Sequence, residues 1–258
     1  MLSPAAMSDA TSARAMLGGM PVLHDAGDWF ALAKPSGLPV HRGYTGERDT
    51  VVDRLREPLG GVVHVAHRLD RGTSGVLLIA RSADVARELS EAFATRQVDK
   101  VYIALVRGVA PADVLLDHAI PNGPEKDAPR IDARTRLRSL GMVHLVDSPL
   151  REPRYSLVRA DPETGRFHQV RRHLSHLAHP ILGDSDHGRP DHNRFLRARV
   201  GLARLALHAA ELRLPGWPAP VRAPLPGDLA EPLRAMGFAA PLVDALAAGR
   251  FDEPVASG

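Results

Sequence analysis

The sequence predicts an α+β protein built on a mixed, largely antiparallel β-sheet. Short apolar segments with strand-like patterns outnumber segments with helical periodicity, and few of them alternate with a helix along the chain. The chain has 258 residues, of which 44% are hydrophobic, so it can bury a substantial core. We expect a single domain over residues 19–258, preceded by a flexible tail at 1–18 that lacks a signal-peptide pattern.

The first half of the chain contains five predicted strands and one predicted helix. Apolar composition places the strands at 21–24, 29–33, 62–66, 75–80 and 101–106. The segments at 62–66 and 75–80 are apolar enough to be buried, and a polar segment at 67–74 separates them. Ser82 is a good helix N-cap, and the stripe of Val85, Leu89, Ala92 and Phe93 after it has helical spacing.

The second half of the chain contains three predicted strands and three predicted helices. Residues 108–132 are expected to be irregular because Pro, Asn, Gly and Asp cluster there. Strands are predicted around 135–143, 155–159 and 206–214. A helix is predicted over 166–177, ending before Pro180, and two short helices follow the proline-rich stretch at 215–226.

The composition excludes several classes of function. The chain has no cysteine, which rules out disulfides, thiolate zinc sites and cysteine nucleophiles. No apolar run approaches the roughly 20 residues that a membrane span requires, so a cytoplasmic protein is expected. The formal charge is +3 and arginine far outnumbers lysine. Arginine favours phosphate contacts, so this composition is consistent with a nucleic-acid partner.

The polar segment at 67–74 is the first candidate for chemistry. Asp70 stands between Arg68 and Arg71, and flanking cations hold a carboxylate ionised and ready to act as a nucleophile or base. A plain turn, in which Asp70 bonds to backbone N–H groups and both arginines face solvent, is the alternative.

The helix predicted at 166–177 is the second candidate. Its apolar stripe is formed by Phe167, Val170, Leu174 and Leu177, and Arg171 lies beside that stripe. An inward guanidinium needs a carboxylate or phosphate partner, for which Asp70 is the natural candidate. Alternatively, Arg171 reaches the surface along its own stem.

Two further features leave their alternatives open. Tyr102, on a predicted strand, is either a core residue or a stacking platform for a base. Histidines gather in the second half of the chain without an HExxH pattern and with arginines between them, so we expect packing or RNA contacts rather than a metal site. These histidines are His168, His173, His176, His179 and His187.

Five blocks of the sequence resemble the RluA-type pseudouridine synthase family, in the family's order. The blocks are Lys34–Gly37, His67–Gly75, Lys100–Gly108, Gly165–Arg171 and Leu205–Ala209. The resemblance implies an eight-stranded mixed sheet flanked by helices and loops. It also implies isomerisation of uridine to pseudouridine in RNA, with no metal and no organic cofactor.

The same resemblance implies roles for individual residues. Asp70 is the catalytic aspartate, Arg171 its ion-pair partner, and Tyr102 the aromatic that stacks on the uracil and can transfer a proton. Arg68 fills the space left by the flipped nucleotide and Leu207 packs beneath the base. Further RNA contacts are expected from arginines and one histidine, namely His67, Arg166, Arg172, Arg194, Arg197 and Arg199.

Residues 171–184 resemble the TruC-type branch, which modifies uridine 65 in the T arm of tRNA. Two departures concern RNA binding: no S4-like domain fits before Pro21, and Leu137 stands where many relatives carry tyrosine. No membrane and no obligate protein partner are expected. The alternatives are a ribosomal-RNA synthase of the same family, a non-catalytic RNA-binding protein that kept the fold, and a phosphotransferase suggested by Asp70–Thr73.

Overall fold

The computed structural model describes residues 15–43, 46, 48–125, 127–148, 150–151 and 153–251. Residues 1–14 of the expected tail lie outside this range. The chain divides into an N-terminal unit, formed by residues up to Asp99 together with Glu211–Ala223, and a C-terminal unit, formed by Lys100–Ala210 together with the residues from Pro224 onward. No helix within the described ranges has the length and apolarity needed to cross a lipid bilayer.

The described residues contain thirteen strands, eight of which have five or more residues. The longer strands are β2 (Met20–Asp25), β3 (Trp29–Lys34), β5 (Ser74–Ala80), β6 (Asp99–Arg107), β7 (Asp113–Asp117), β10 (Arg134–His144), β11 (Arg154–Pro162) and β12 (Leu207–Arg213). The two-residue strands are β1 (Met16–Leu17), β4 (His64–Val65), β8 (Ile120–Pro121), β9 (Arg130–Ile131) and β13 (Val221–Arg222). The eight longer strands agree with the family fold that the sequence blocks imply.

Six helices accompany these strands in the described part of the chain. They are α1 (Val51–Arg56), α2 (Ala83–Ala94), α3 (Gln169–His176), α4 (Pro190–Val200), α5 (Gly227–Met236) and α6 (Ala240–Ala247). The mixture of helices with a large, mostly antiparallel sheet confirms the predicted α+β class.

In the N-terminal unit, β1, β2, β3 and β5 pair in that order, and β4 pairs with β5. All these pairs are antiparallel. The helix predicted after Ser82 is confirmed as α2, because the Ser82 side chain accepts a hydrogen bond from the Val85 amide and Leu89 and Ala92 are buried. The apolar faces of β3 and β5 and of α2 form the core of this unit, which includes Trp29, Leu78 and Leu89.

In the C-terminal unit, β6, β11, β10 and β7 pair in that order, again antiparallel. Its core combines β6 and β11 with the buried faces of α3 to α6. Strand β12 belongs to both units, because residues up to Ala210 lie in the C-terminal unit and the residues from Glu211 lie in the N-terminal unit.

Four predictions of secondary structure are wrong in detail. Only two residues of the buried strand expected at 62–66 pair, and Val62 is 68% exposed, because β4 reaches only the far end of β5. The region expected to be irregular contains β7, a half-exposed strand that pairs with β10. Helices α1 and α4 were not predicted, because α1 has only six residues and the sequence of α4 is largely polar. Helix α3 begins at Gln169 rather than at 166, because His168 adopts a left-handed backbone with φ of 53°.

Candidate active site

The segment around Asp70 forms a tight turn between β4 and β5 in the N-terminal unit. The amide of Thr73 donates to the carbonyl oxygen of Asp70 at 3.0 Å, and Asp70 is half-buried. Arg68 is exposed, and its positive charge adds to burial in lowering the pKa of His41. The turn therefore holds the carboxylate between the interior and solvent.

Lys34 fixes this turn through hydrogen bonds from its buried ammonium group. The Lys34 side chain is only 1% exposed. Its ammonium group donates to the carbonyl oxygens of Pro35 at 2.9 Å, of Leu38 at 2.6 Å and of Arg71 at 3.2 Å. A buried cation requires such partners, because an uncompensated charge in the interior is very costly. The Lys34 ammonium thus joins the loop that follows β3 to the residue after Asp70.

Three further hydrogen bonds fasten the two loops together. The Ser36 hydroxyl donates to the carbonyl oxygen of Gly72 at 2.6 Å. The Gly37 amide donates to the carbonyl oxygen of Arg71 at 2.8 Å, and the Arg71 Nε donates back to the carbonyl oxygen of Gly37 at 3.1 Å. The backbone that carries Asp70 is therefore constrained on its C-terminal side by the block at residues 34–37.

His67 makes contacts within the N-terminal unit that fix the start of the same turn. Its Nε2 accepts the amide hydrogen of Leu78 at 3.0 Å, so this nitrogen carries no proton. The imidazole also stacks on Phe93 of α2, with 4.4 Å between ring centroids. The ring therefore ties the turn to β5 and α2, and its contact with RNA remains a prediction.

Tyr102 and Leu207 lie on strands of the C-terminal unit. Tyr102 is half-buried on β6, opposite Ala160 of β11, and packs against the core of this unit. Leu207 is the first residue of β12 and is 3% exposed. Both side chains therefore sit on rigid β-structure, which suits residues expected to hold a base.

Arg171 points into the C-terminal unit, as the helical phase predicted. Its Nε and Nη2 donate to the two carboxylate oxygens of Asp184 at 2.7 and 2.8 Å. A third bond joins Nη2 to Asp186 at 2.7 Å. The Arg171 side chain is 7% exposed, so the alternative in which it reaches the surface is wrong.

Asp184 is held as an anion by its surroundings. Burial alone would raise the pKa of the Asp184 carboxyl. Hydrogen bonds from Arg171 and from the amides of His187 and Asp186, together with the charge of Arg171, instead bring it below its usual value. The ionised Asp184 carboxylate therefore fixes the orientation of the Arg171 guanidinium through two parallel hydrogen bonds.

The backbone before Asp184 requires a glycine. Gly183 has φ of +74°, and a Cβ atom built there would lie 1.8 Å from the carbonyl oxygen of Arg204. Asn193 of α4 holds the same turn, since its side chain accepts from the Gly183 amide at 2.8 Å and donates to the carbonyl oxygen of Asp184 at 3.0 Å. Helix α4 thus helps to place the carboxylate that orients Arg171.

Two histidines extend the hydrogen bonds of Arg171. The Arg171 Nη1 lies 2.7 Å from the His168 Nε2, and because arginine can only donate, this Nε2 is the acceptor. The His168 Nδ1 then lies 3.4 Å from the Nε2 of His187. Burial is the main cause that lowers the pKa of His187, which keeps that ring neutral.

A buried polar chain fixes the start of α3. The Gln169 side chain accepts from the Thr164 hydroxyl at 2.6 Å and donates to Thr135 Oγ1 at 2.9 Å. Thr135 Oγ1 lies 2.8 Å from the Nδ1 of His173, whose Nε2 lies 3.0 Å from the carbonyl oxygen of His118. Satisfied networks of this kind make a buried region rigid, so α3 presents Arg171 from a fixed position.

The arginines expected at the RNA margin fall into two groups. Arg172 donates to the carbonyl oxygens of Pro121 and Gly123, and its guanidinium lies 5.1 Å from the ring centroid of Phe167, so it holds the neighbouring loop. Arg199 pairs with Asp147 at 3.0 Å. Arg199 is exposed, as are the other three, Arg166, Arg194 and Arg197, and Arg166 also donates to the carbonyl oxygen of Asp132 at 3.4 Å.

Leu137 was noted where many relatives carry tyrosine, and Phe167 was expected on the buried stripe of the helix. Leu137 is 2% exposed on β10, so it is a core residue and offers no surface contact. Phe167 is 37% exposed and stacks on His168, because it precedes the first turn of α3 instead of lying on the buried stripe. Within the ranges that the structure describes, no three His, Asp or Glu side chains are placed to hold a metal ion.

Asp184 and Asp186 are the main residues that the sequence did not single out. They follow Arg171 by 13 and 15 residues, beyond the reach of helical spacing. The signal that could have found them is the pattern Gly183-Asp184-Ser185-Asp186, a carboxylate pair after a glycine and close to an inward arginine.

Comparison with known proteins agrees with the sequence blocks. Residues 28–176 match the family model described as RNA pseudouridylate synthase. The chain is 43% identical over 196 residues to tRNA pseudouridine synthase C of Pectobacterium carotovorum subsp. carotovorum, which covers 71% of the chain and 52% of that protein. It is 41% identical to the protein of the same name from Yersinia pestis, over 71% of the chain and 76% of that protein. The chain therefore spans about half the length of the Pectobacterium relative.

Solved structures give the same result. The human protein RNA pseudouridylate synthase domain containing 4 matches with a TM-score of 0.66 and 28% identity, over 83% of this chain and 92% of that one. Human RNA pseudouridylate synthase domain containing 1 matches in fold with a TM-score of 0.67 and 24% identity, over 91% of this chain and 97% of that one. With its fold and more than half of its sequence matching, the chain belongs to the RNA pseudouridylate synthase family.

Proposed function

We propose that this protein is a tRNA pseudouridine synthase, an enzyme that isomerises a uridine of tRNA to pseudouridine. The observation that carries the proposal is its 40–43% identity, over 71–72% of the chain, to bacterial proteins named tRNA pseudouridine synthase C. Two structural features support the proposal. The buried Arg171 makes two hydrogen bonds to Asp184, and Lys34 holds the turn that carries Asp70. Both arrangements keep the proposed catalytic side chains in one orientation.

The proposed reaction needs no oxidant and no co-reactant. The bond between N1 of uracil and C1′ of ribose breaks, a bond between C5 and C1′ forms, C5 loses its proton and N1 gains one. We propose that Asp70 acts as an ionised carboxylate, and three routes are open to it. It can attack C1′, add to C6 of the uracil, or remove a ribose proton to give a glycal.

Arg171 and Tyr102 complete the proposed chemistry. A cation next to a carboxylate favours its ionised form, so Arg171 as the ion-pair partner of Asp70 would keep that carboxylate reactive at neutral pH. Tyr102 would stack on the detached uracil and accept the C5 proton, directly or through water. A phenol is suited to this relay because it can both donate and accept a hydrogen bond.

The target base must leave its stack before it can react. Extrusion of a nucleotide costs a few kcal/mol, which an inserted side chain can offset. Arg68 is exposed on the turn that carries Asp70, so it can enter the space left by the base and bind phosphate. Leu207 would pack beneath the extruded uracil.

We propose uridine 65 in the T arm of tRNA as the target and the cytoplasm as the location. The likeness of residues 171–184 to the TruC-type branch supports the position, and this segment contains both Arg171 and Asp184. No specific observation favours the phosphotransferase alternative. Two alternatives remain, a ribosomal RNA substrate and a non-catalytic RNA-binding role. The experiment below distinguishes both from the proposed activity.

The experiment measures tritium release from RNA labelled at C5 of uridine, followed by mapping of pseudouridine. Unmodified tRNA transcripts and protein-free ribosomal RNA fragments are offered in parallel. We expect release from tRNA with wild-type protein, none with Asp70→Asn, and normal release with Asp84→Asn. Asp84 is the matched control, because it is an exposed carboxylate on α2 of the same unit.

Each alternative has its own outcome. Product only in a ribosomal fragment would reassign the substrate, and tRNA binding without product from any RNA would support a non-catalytic protein. Near-normal release from Asp70→Asn would end the assignment of that residue. Product at another position of tRNA would leave the activity and contradict uridine 65.

A further inference from the structure

A basic pocket of about 580 Å³ lies in the C-terminal unit, apart from the residues assigned to catalysis. Four arginines line it together with two histidines, namely Arg107, Arg151, Arg154, Arg189, His179 and His192. Asp191 is the one carboxylate among the lining residues, and it pairs with Arg189 at 3.3 Å. The lining residues thus contribute four guanidinium groups and one carboxylate.

Arg107 carries one N–H group that no other described residue accepts. Its Nη2 donates to the carbonyl oxygen of Ala178 at 3.3 Å. Its Nε is buried and has no hydrogen-bond partner among the described residues. A buried N–H without a partner is costly in a folded protein. Because this N–H is shielded from solvent, it would pair with an anion only after the Arg107 side chain turns toward the pocket, where a guanidinium can give a phosphate two parallel bonds.

The wall next to Arg107 is formed in advance. Helix α3 ends in a Schellman motif, in which the amide of His179 donates to the carbonyl oxygen of Leu174 at 2.8 Å. This turn brings the His179 Nδ1 to 3.0 Å from the carbonyl oxygen of Arg107. At the next residue, Gly108, a Cβ atom would lie only 2.9 Å from the same ring nitrogen. The position of His179 therefore depends on close contact with the end of β6.

A second part of the pocket wall is also fixed by buried contacts. The Nδ1 of His192 lies 3.0 Å from the hydroxyl of Tyr155, and the two rings meet edge to face with 5.8 Å between their centroids. Both residues are buried. Because His192 is on the first turn of α4, this contact holds the N-terminus of that helix, with its positive dipole end, at the pocket.

The pocket lies at the far end of the elements that carry the proposed catalytic residues. Tyr102 and Arg107 are five residues apart on β6, which corresponds to about 17 Å along a strand. Similarly, α3 carries Arg171 in its first turn and leads to His179 just beyond its end. The odd spacing directs the Tyr102 and Arg107 side chains to opposite faces of β6, so the two positions would be met by parts of the RNA that lie several nucleotides apart.

We propose that this pocket binds a backbone phosphate of the substrate RNA several nucleotides away from the target uridine. The inference rests on the proposed function for the identity of the RNA. It adds a second anchoring point, formed by Arg107, Arg151 and Arg154, which steers the RNA by charge and shape instead of base sequence. A protein that binds its RNA at two separated points leaves the target base fewer possible positions than a protein that binds it at one point.

The test is a titration of unmodified tRNA transcript with the full chain at salt concentrations from about 50 to 200 mM. We expect R151Q and R154Q each to weaken binding and to reduce the slope of log affinity against log salt by about one, and the double variant by about two. The control is R87Q, an exposed arginine on α2 of the other unit, which should leave both affinity and slope unchanged. Circular dichroism melts confirm that each variant folds.

A second arm uses inorganic phosphate in calorimetric titrations, to separate a free anion from RNA as the ligand. Phosphate binding that the variants abolish, with an unchanged salt slope for tRNA, would overturn the proposal in favour of a small-anion site. An unchanged slope without phosphate binding would overturn it entirely. Because binding is measured without turnover, a protein that shows the slope change but forms no pseudouridine would contradict the proposed function and leave this inference standing.

Discussion

Arg171 and Asp184 form a bidentate ion pair in which both side chains are almost fully buried. The two N–O distances are 2.7 and 2.8 Å, and the side chains are 7% and 0% exposed. Charges removed from water are costly to leave unpaired, so each partner depends on the other. The pair also fixes the direction of the guanidinium, which connects the stability of α3 with the proposed chemistry.

Replacing Arg171 by leucine is expected to lower both stability and turnover. The variant leaves Asp184 as a buried anion without its guanidinium, a loss of roughly 3–5 kcal/mol in the free energy of unfolding. Urea denaturation measures this loss. The control is Arg199→Leu, because Arg199 and Asp147 form a half-exposed pair of the same unit, worth about 0–1 kcal/mol. Equal denaturation midpoints for the two variants would contradict the structural role of the buried pair.

Gly183→Ala is expected to be much more destabilising than Gly201→Ala. Both glycines have φ of +74°. At Gly201 no atom lies within 4 Å of the position that a Cβ atom would take. The loss of stability therefore comes from the left-handed backbone alone and is about 1–2 kcal/mol. At Gly183 the Cβ would overlap the carbonyl oxygen of Arg204, so the turn before Asp184 must move. Thermal melts of the two variants compare the costs, and similar melting temperatures would refute the close approach.

Stability is expected to fall on mild acidification, in part because of His173. Burial is the main cause that lowers the pKa of His173 below its ordinary 6.5, with the charges of His118 and His176 acting in the same direction. The folded state therefore keeps this ring neutral while the unfolded chain binds a proton. Unfolding takes up protons, so stability is fully present above the unfolded pKa of 6.5 and is lost as pH falls from there toward the lower folded pKa.

Thermal melts between about pH 7.5 and 5.5 measure this dependence. His173→Gln should be less stable than the wild type at neutral pH, because the contacts to Thr135 and the His118 carbonyl are disturbed. Its melting temperature should also change less over this pH interval. A variant with the wild-type pH dependence would show that His173 is not the group that titrates.

The sequence predicted best where hydrophobic pattern alone decides the structure. Strands β3, β5 and β6 were found because they are apolar and buried on both faces. By contrast, β7 has the sequence Asp-Val-Leu-Leu-Asp, whose strand character depends on pairing with β10. Helix α4 was missed because most of its residues are polar, and its apolar contacts are limited to a few positions such as Leu196.

The same division holds at the candidate site. The inward direction of Arg171 followed from its helical position beside Val170 and Leu174, which is local information. Its partners Asp184 and Asp186 did not, because their placement depends on the turn at Gly183 and on contacts with Arg204 and α4 that only the tertiary structure provides. Spacing along one helix reveals which side chains face inward, but it does not reveal what they meet there.

Tyr102→Phe is expected to separate binding from chemistry. The substitution keeps the ring, so stacking on a base and packing against the core of the C-terminal unit should survive, and the affinity for tRNA should stay within about twofold. The hydroxyl is lost, and with it the proposed relay for the C5 proton. Positioned acid–base groups contribute about 10²- to 10⁴-fold to rates, so the single-turnover rate should fall by a factor in that range.

Tyr155→Phe is the matched control for the loss of a hydroxyl. Tyr155 is fully buried, and its hydroxyl contacts the Nδ1 of His192, away from the proposed chemistry. Its removal should cost about 1–3 kcal/mol of stability through the unsatisfied histidine and leave the single-turnover rate unchanged, with tRNA at saturating concentration and at a temperature where the protein is folded. If Tyr102→Phe also kept the wild-type rate, its hydroxyl would have no part in proton transfer. The C5 proton would then have to leave through another base, with Tyr102 acting only as a platform for the uracil.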